Sequence, residues 1–286
     1  MPELPEVEAL ASFLHGRCAG RLIERAEVGA LAAIKTYNPP LESMVGCTLA
    51  AVVRRGKYLA FDLGGTWLVV HLARGGWILW RDRVPPSRAR PGRGPLALRV
   101  GLDGGSGFDI TEQGTEKRLA IWLVGDPAEV EGVARLGPDP MDAGFSVADL
   151  RAALAERTGH LKGALTDQSV LAGVGNAYSD EALHQARLSP YKTAARLTPD
   201  ELVRLHGALV SVLGGALARS AGLPAAELKS EKRSGMAVHG RTGLPCPVCG
   251  DTVREVSFAT KSMQYCPTCQ TGGKPLADRR MSRLLK

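Results

Sequence analysis

Aromatic residues are scarce, 5% of the 286-residue chain. A broad platform of rings for stacking unpaired bases is therefore not what this sequence builds. Long apolar runs are missing too: none reaches the roughly 18 residues that a membrane-spanning helix needs. The N-terminus, MPELPEVEAL, places Glu3, Glu6 and Glu8 where a secretory signal needs a basic start and an apolar stretch. A cytoplasmic protein without a membrane partner is expected. There is no internal repeat. In a reducing compartment the six cysteines are not read first as disulfides. Charge is only mildly unbalanced: 36 Lys+Arg against 29 Asp+Glu leave +7, which favours an anionic partner without naming it. With 44% hydrophobic and 23% charged residues the chain is globular, with room for one large domain or two plus an appended module.

Along the chain the pattern changes three times. Val7, Leu10, Ala11 and Leu14 recur at helical spacing and predict a helix over residues 2–16. Between about 20 and 125, short β-rich runs (TLAAVVRR, YLAFDL, TWLVVHLA, GWILW, LALRVGL, LAIWLV) alternate with Gly, Pro and Asp, as in a sandwich or barrel. RVPPSRARPGRGP, 83–95, reads as an exposed loop, and RLGPDPMDAGF, 135–145, as a linker. Helical spacing then holds from 147 to about 222, with a last helix capped by Thr198 and opened by Pro199. Residues 226–286 hold 11 Lys+Arg against 5 Asp+Glu, so most of the net charge sits there.

Cys246-Pro-Val-Cys249 and Cys266-Pro-Thr-Cys269 form two CxxC pairs with 16 residues between them. Each pair can make a tight knuckle, helped by Gly250, and four thiolates can close a tetrahedron around one structural Zn2+. Such a site leaves no open coordination position for catalysis. Ordinary buried cysteines or a redox pair are the alternatives, the latter using one CxxC at a time. VREVSFA and MQY, between the pairs, predict a two-stranded hairpin. Cys18 and Cys47 read as buried thiols.

MPELPEVEAL has two readings. One is a helix start with an early Pro and acids in the first turn, which suits the helix dipole. The other is chemical. Removal of Met1 would expose the secondary amine of Pro2; an α-amino group titrates near ~8, so much of it is neutral and able to attack an electrophilic carbon. Glu3 beside it could move protons.

PELPEVEAL closely resembles the N-terminus of the formamidopyrimidine-DNA glycosylase and endonuclease VIII family. VVRRGKYLAFDL, 52–63, resembles its lysine-bearing strand. DQSVLAGVGNAYSDEALHQARLSP, 167–190, resembles its helix–two-turns–helix, and the ending YCPTCQT resembles its zinc finger. The four blocks follow the family order across nearly the whole chain. The resemblance implies an α+β fold: an N-terminal catalytic β-sandwich with a leading helix (1–134), a helical helix–two-turns–helix domain (135–235), and a zinc β-hairpin module with a basic tail (236–286, finger about 237–271). It implies a base-excision-repair enzyme, a DNA glycosylase with AP-lyase activity, acting as a monomer on double-stranded DNA with a damaged base or abasic site. The location would be the bacterial cytoplasm and nucleoid, and the cofactor one structural Zn2+.

Residue by residue, Pro2 matches the family nucleophile that forms a Schiff base with sugar C1′. Glu3 matches the acid that assists ring opening. Lys57 matches the lysine that contacts phosphate beside the lesion, against the reading of a solvated strand-end lysine. Asn176 matches a phosphate contact at a helix start, where an N-cap role is compatible. Lys162, His71 and Arg118 match further DNA-contact positions, His71 also being readable as a structural strand histidine; Arg74 is a DNA-binding candidate that could insert beside the orphaned base or bind backbone. Cys246, Cys249, Cys266 and Cys269 match the zinc ligands. Tyr178, Asp180 and Glu181 read as helix architecture.

Three departures stand out. Lys261 replaces the arginine at the finger tip, keeping the charge but losing the two-pronged phosphate grip, so its part in the second elimination step is open. Ala73-Arg74-Gly75-Gly76 stands where relatives carry a methionine wedge, and Leu119 stands where they carry an aromatic one. Together they suggest a divergent subgroup whose lesion, an oxidised purine, an oxidised pyrimidine or another, the sequence does not name. An abasic-site lyase with weak glycosylase activity and a non-catalytic damaged-DNA-binding protein are the alternatives.

Overall fold

The computed structural model describes residues 1–92, 94–257 and 262–277. The chain divides into two units, residues 1–135 with 220–229, and residues 136–219 with 230 onward.

The first unit opens with α1 (Leu4–Cys18). Its Val7, Leu10, Leu14 and Cys18 are buried, as the helical spacing predicts. Glu3 is the N-cap, and Glu6 at N3 reaches back so that its Oε2 accepts the Glu3 N–H at 2.8 Å. Eight strands follow: β1 (Ile23–Val28), β2 (Ala51–Arg55), β3 (Tyr58–Asp62), β4 (Trp67–His71), β5 (Gly76–Arg81), β6 (Leu96–Leu102), β7 (Gly107–Glu112) and β8 (Ala120–Val124). They form two antiparallel sheets, β1-β6-β7-β5 and β2-β3-β4-β8. Strand alternation sends Leu59 and Phe61, Leu68 and Val70, and Ile121 and Leu123 into a core shared with Leu98, Val100, Phe108 and Ile110 of the other sheet. Phe61 stacks on Phe108 with centroids 5.2 Å apart. Their neighbours Ala60, Val69 and Val124 face the other way and pack with Val130, just before α2 (Glu131–Ala134). This is the β-sandwich with a leading helix that the sequence predicts. Residues 220–229 belong to this unit: Ala225 and Leu228 enter its core, and Trp77 Nε1 donates to Ala225 O at 3.0 Å.

The second unit holds α3 (Val147–Leu154), α4 (Leu161–Thr166), α5 (Asn176–Gln185) and α6 (Pro199–Ser220). Thr198 and Glu201 form the expected start of α6: Thr198 N donates to Glu201 Oε2 and Glu201 N to Thr198 Oγ1. By length and composition α6 could cross a membrane. Its Leu202, Leu205, Leu209, Leu213 and Ala216 instead form one buried stripe at spacings of three and four. After α7 (Leu228–Ser234) come the hairpin β9 (Arg254–Ser257) and β10 (Ser262–Tyr265), then α8 (Pro267–Thr271).

Candidate active site and metal centre

In the first unit, topology gathers the front-end candidates. Arg54 Nε bonds Glu8 Oε2 at 2.7 Å, and Val52 N donates to His15 Nδ1 at 3.3 Å. The two contacts run in opposite chain order, so the start of α1 lies toward the Gly56–Lys57 end of β2. Pro2 and Glu3 are buried there. The β2–β3 connection is two residues long, and Gly56 takes φ +56°, the positive angle a tight hairpin needs at its first central position. Lys57 follows it and is only 6% exposed. Register then puts Tyr58 opposite His71, and His71 opposite Ala120. The loops after His71 and before Ala120 therefore emerge at this same end of the sheet.

Those loops are tied together. Gln113 N donates to Gly75 O at 2.9 Å, and a Cβ on Gly75 would lie 2.0 Å from Gln113 O, so only glycine allows this approach. Ala73 is held at φ +50°, unusual for a residue with a side chain. Arg74, at the loop's tip, is exposed. Buried Glu112 organises the second loop: its Oε1 accepts the N–H groups of Arg118 at 2.6 Å and Leu119 at 2.8 Å. The Arg118 side chain is exposed, 3.3 Å from Glu116. Exposed Arg74 and Arg118 thus lie on the loops at the end of the sheet toward which Pro2, Glu3 and Lys57 are buried.

His71 packs against Tyr58, with ring centroids 4.7 Å apart and the planes tilted by 37°. Burial, reinforced by the positive Lys57, lowers its pKa to about 4. It is neutral at physiological pH. An unfolded histidine ionises near ~6.5, so between there and about 4 the unfolded chain binds the extra proton. His71's contribution to stability is complete above that window and is lost as pH falls through it. Acid unfolding of His71→Asn, followed by circular dichroism, should show a flatter loss of stability across the window than the native chain. Equal slopes would mean that folded His71 protonates freely.

In the second unit the four cysteines converge. Cys246 Sγ lies 3.9 Å from Cys269 Sγ, and Cys249 Sγ lies 3.4 Å from Cys266 Sγ. A tetrahedral Zn2+ with bonds of about 2.3 Å spaces its sulfurs roughly 3.8 Å apart, so the set fits the ion. Burial and the neighbouring thiols push Cys266 up to about 11 and Cys269 higher still. Four thiolates this close need a dication between them. Such a closed set holds the finger together and takes no part in the reaction. His184, on α5, lies beside it with Nε2 3.2 Å from Cys246 Sγ.

The finger is fastened to α5 by carboxylates. Glu181 accepts the backbone N–H groups of Ala237, Val238 and His239 at 2.7 to 3.0 Å. Asp180 Oδ2 bonds His239 Nδ1 at 2.7 Å, and its Oδ1 bonds Lys162 Nζ at 2.6 Å. Lys162 also donates to Asn176 O and Ser179 Oγ. Asn176, the first residue of α5, donates through Nδ2 to Ser262 O at 2.7 Å, joining the helix start to the hairpin.

Comparison with known proteins agrees with this anatomy. The family model for the formamidopyrimidine-DNA glycosylase N-terminal domain matches residues 1–112, that for its H2TH domain matches 136–225, and the zinc finger found in FPG and IleRS matches 243–272. The formamidopyrimidine-DNA glycosylase of Symbiobacterium thermophilum is 37% identical over 281 residues, covering 94% of this chain and 89% of the relative. The chain belongs to the formamidopyrimidine-DNA glycosylase family. An uncharacterized formamidopyrimidine-DNA glycosylase-like protein of Mycobacterium tuberculosis is 66% identical over 151 residues, 53% of this chain and 94% of that one. The Lactococcus lactis Fpg, solved in complex with DNA containing an abasic site, superposes with a TM-score of 0.82 at 25% identity, covering 94% of this chain and 99% of that one.

Within that family frame, several positions sit otherwise than their motifs suggest. Leu119, at the place of the family's aromatic wedge, is 2% exposed, inside the sandwich core. Lys162 is 8% exposed and turned inward onto Asp180. Lys261 lies outside the described residues. Asp180 and Glu181 are architecture, as predicted, but of the joint between helix and finger. Glu112 and His184 were not singled out from the sequence. An acid ending a strand that is buried throughout is the signal for the first. For the second, the signal is a histidine one helical turn after Asp180 on the buried face.

Proposed function

We propose that this chain excises a damaged base from duplex DNA and cuts the strand at the resulting abasic site, with Pro2 as nucleophile. With Met1 removed, the Pro2 amine adds to sugar C1′, the C1′–base bond breaks, and the base leaves with a proton. Glu3 protonates the ring oxygen, the C1′–O4′ bond opens, and an iminium joins Pro2 N to C1′. Loss of a proton from C2′ then expels the 3′ phosphate, and water hydrolyses the iminium to free Pro2. Lys57 holds the phosphate beside the lesion and assists proton transfer. The observation that carries this reading is the convergence of the α1 start, the Gly56–Lys57 turn and both arginine-tipped loops at one end of one sheet.

Asn176 contributes a phosphate contact from the helix start, and Lys261 would add one from the finger. His71 is proposed to face the DNA as a neutral donor, and Arg74 and Arg118 to reach the space left by the flipped nucleotide or the adjoining backbone. The protein works as a monomer, and its place is the bacterial cytoplasm, at the nucleoid.

Burial of Leu119 favours a second reading, an abasic-site lyase with weak excision, because an apolar wedge is one way to unstack a pair. Strand scission on three duplexes separates the readings: one with an abasic site, one with an oxidised purine, one with an oxidised pyrimidine. Excision predicts cutting of the first and of at least one other. Cutting of the abasic duplex alone selects the lyase, and tight binding without cutting of any selects a damage sensor.

A further inference from the structure

The zinc finger's four cysteines have a further donor beside them, and it comes from outside the finger. His184 lies on α5, whereas the matched finger spans residues 243–272. It is 4% exposed, so its ring is fixed by packing and not by chance contact at the surface. Its Nε2 is 3.2 Å from Cys246 Sγ. The ligand atoms of His184, Cys246, Cys266 and Cys269 all lie within 4.8 Å of one another, a set that leaves out Cys249. Cys249 is also the exposed cysteine of the four. Yet its sulfur, 3.4 Å from Cys266, still closes the four-thiol site.

We infer that His184 is a replacement ligand: with Cys249 in place it donates a hydrogen bond to the Cys246 thiolate, and without Cys249 its Nε2 completes a site of three sulfurs and one nitrogen. The chemistry is permissive. Zinc is held in structural sites by four thiolates or by three thiolates and an imidazole, with bonds of about 2.0–2.1 Å to nitrogen and 2.3 Å to sulfur. Nitrogen and sulfur on one tetrahedral zinc then stand roughly 3.5 Å apart, close to the separation already present. Only the proton on Nε2 has to leave. The helix that carries the Asp180 and Glu181 contacts to the finger would then also hold its metal.

The test uses the full-length chain, with zinc content by atomic emission and ligand type by zinc K-edge X-ray absorption. Native protein and His184→Gln should each hold one zinc with four sulfur neighbours, glutamine keeping the N–H donor. Cys249→Ser should keep its zinc with three sulfurs and one imidazole nitrogen. Cys246→Ser, which removes a member of the close set, should lose far more metal. Cys249→Ser combined with His184→Gln should lose the zinc or show no imidazole scattering. The inference is overturned if Cys249→Ser loses zinc as fully as Cys246→Ser, or if its fourth neighbour is unchanged by His184→Gln. Should the serine variants fail to fold, zinc transfer to a chromogenic chelator decides. His184→Gln should release zinc at least about tenfold faster than native, since no donor replaces the first sulfur to leave; equal rates overturn the inference.

Discussion

Borohydride added to the native protein on a duplex with a single abasic site should leave a covalent adduct that maps to residue 2. The chemistry is a competition between amines. A free lysine titrates near ~10.4 and an α-amino group near ~8, so at neutral pH the terminal amine has the larger neutral fraction by a factor of roughly two hundred. Lys57 is the rival at this end of the sheet, and it is buried and 6% exposed. Borohydride reduces the iminium to a stable amine, and peptide mapping distinguishes the two. A form retaining an uncleaved N-terminal tag has an amide nitrogen at residue 2, which cannot form an iminium; its adduct should vanish and its strand scission fall by at least ~10²-fold. Glu3→Gln should keep affinity for the abasic duplex while slowing scission by roughly 10²–10⁴, the range of one positioned acid or base. Mass spectrometry of the native chain checks that Met1 is gone. An adduct on Lys57, or one that survives the tag, would remove Pro2 from the role.

What the sequence disclosed and what it hid divide along a physical line. Local rules were legible. The periodicity of Val7, Leu10 and Leu14 became α1, Thr198–Pro199 became the start of α6, and the two CxxC pairs became one cluster of sulfurs. Leu119 shows two local rules in conflict. Its motif position suggested a wedge, whereas alternation with Ile121 and Leu123 turns it inward, and burial of an apolar side chain in a closed sandwich prevailed. Long-range partners were not legible at all. Cys246 is 62 residues from His184, and nothing in the CxxC spacing points back to α5. Asp180 reads as an ordinary helix residue until its carboxylate is seen between Lys162 and His239.

Lys162 shows what that blind spot costs, and Lys162→Met should strongly destabilise the second unit. Its ammonium has three donors, and its acceptors include Asn176 O at 2.5 Å, Ser179 Oγ at 2.8 Å and Asp180 Oδ1 at 2.6 Å. The pair is buried, with the Asp180 side chain 1% exposed. Removing one partner of such a pair strands the other charge, a loss of about 3–5 kcal/mol. Asp180 would retain His239 and the Gln264 N–H, which places the effect toward the lower end. Thermal unfolding should show it as a lowered midpoint. The salt dependence of DNA binding then separates positioning from contact. A lysine on a phosphate contributes about 0.9 to the slope of log K against log salt, because it releases a counterion. The charge of Lys162 is already matched by Asp180, so Lys162→Met should weaken binding through the displaced Asn176 turn and leave the slope unchanged. Arg118→Ala, removing an exposed cation, should lower the slope by about that 0.9 with little change in stability. A slope that falls for Lys162→Met as it does for Arg118→Ala would mean that Lys162 leaves Asp180 for the DNA, and the buried pair would then be a resting arrangement broken on binding.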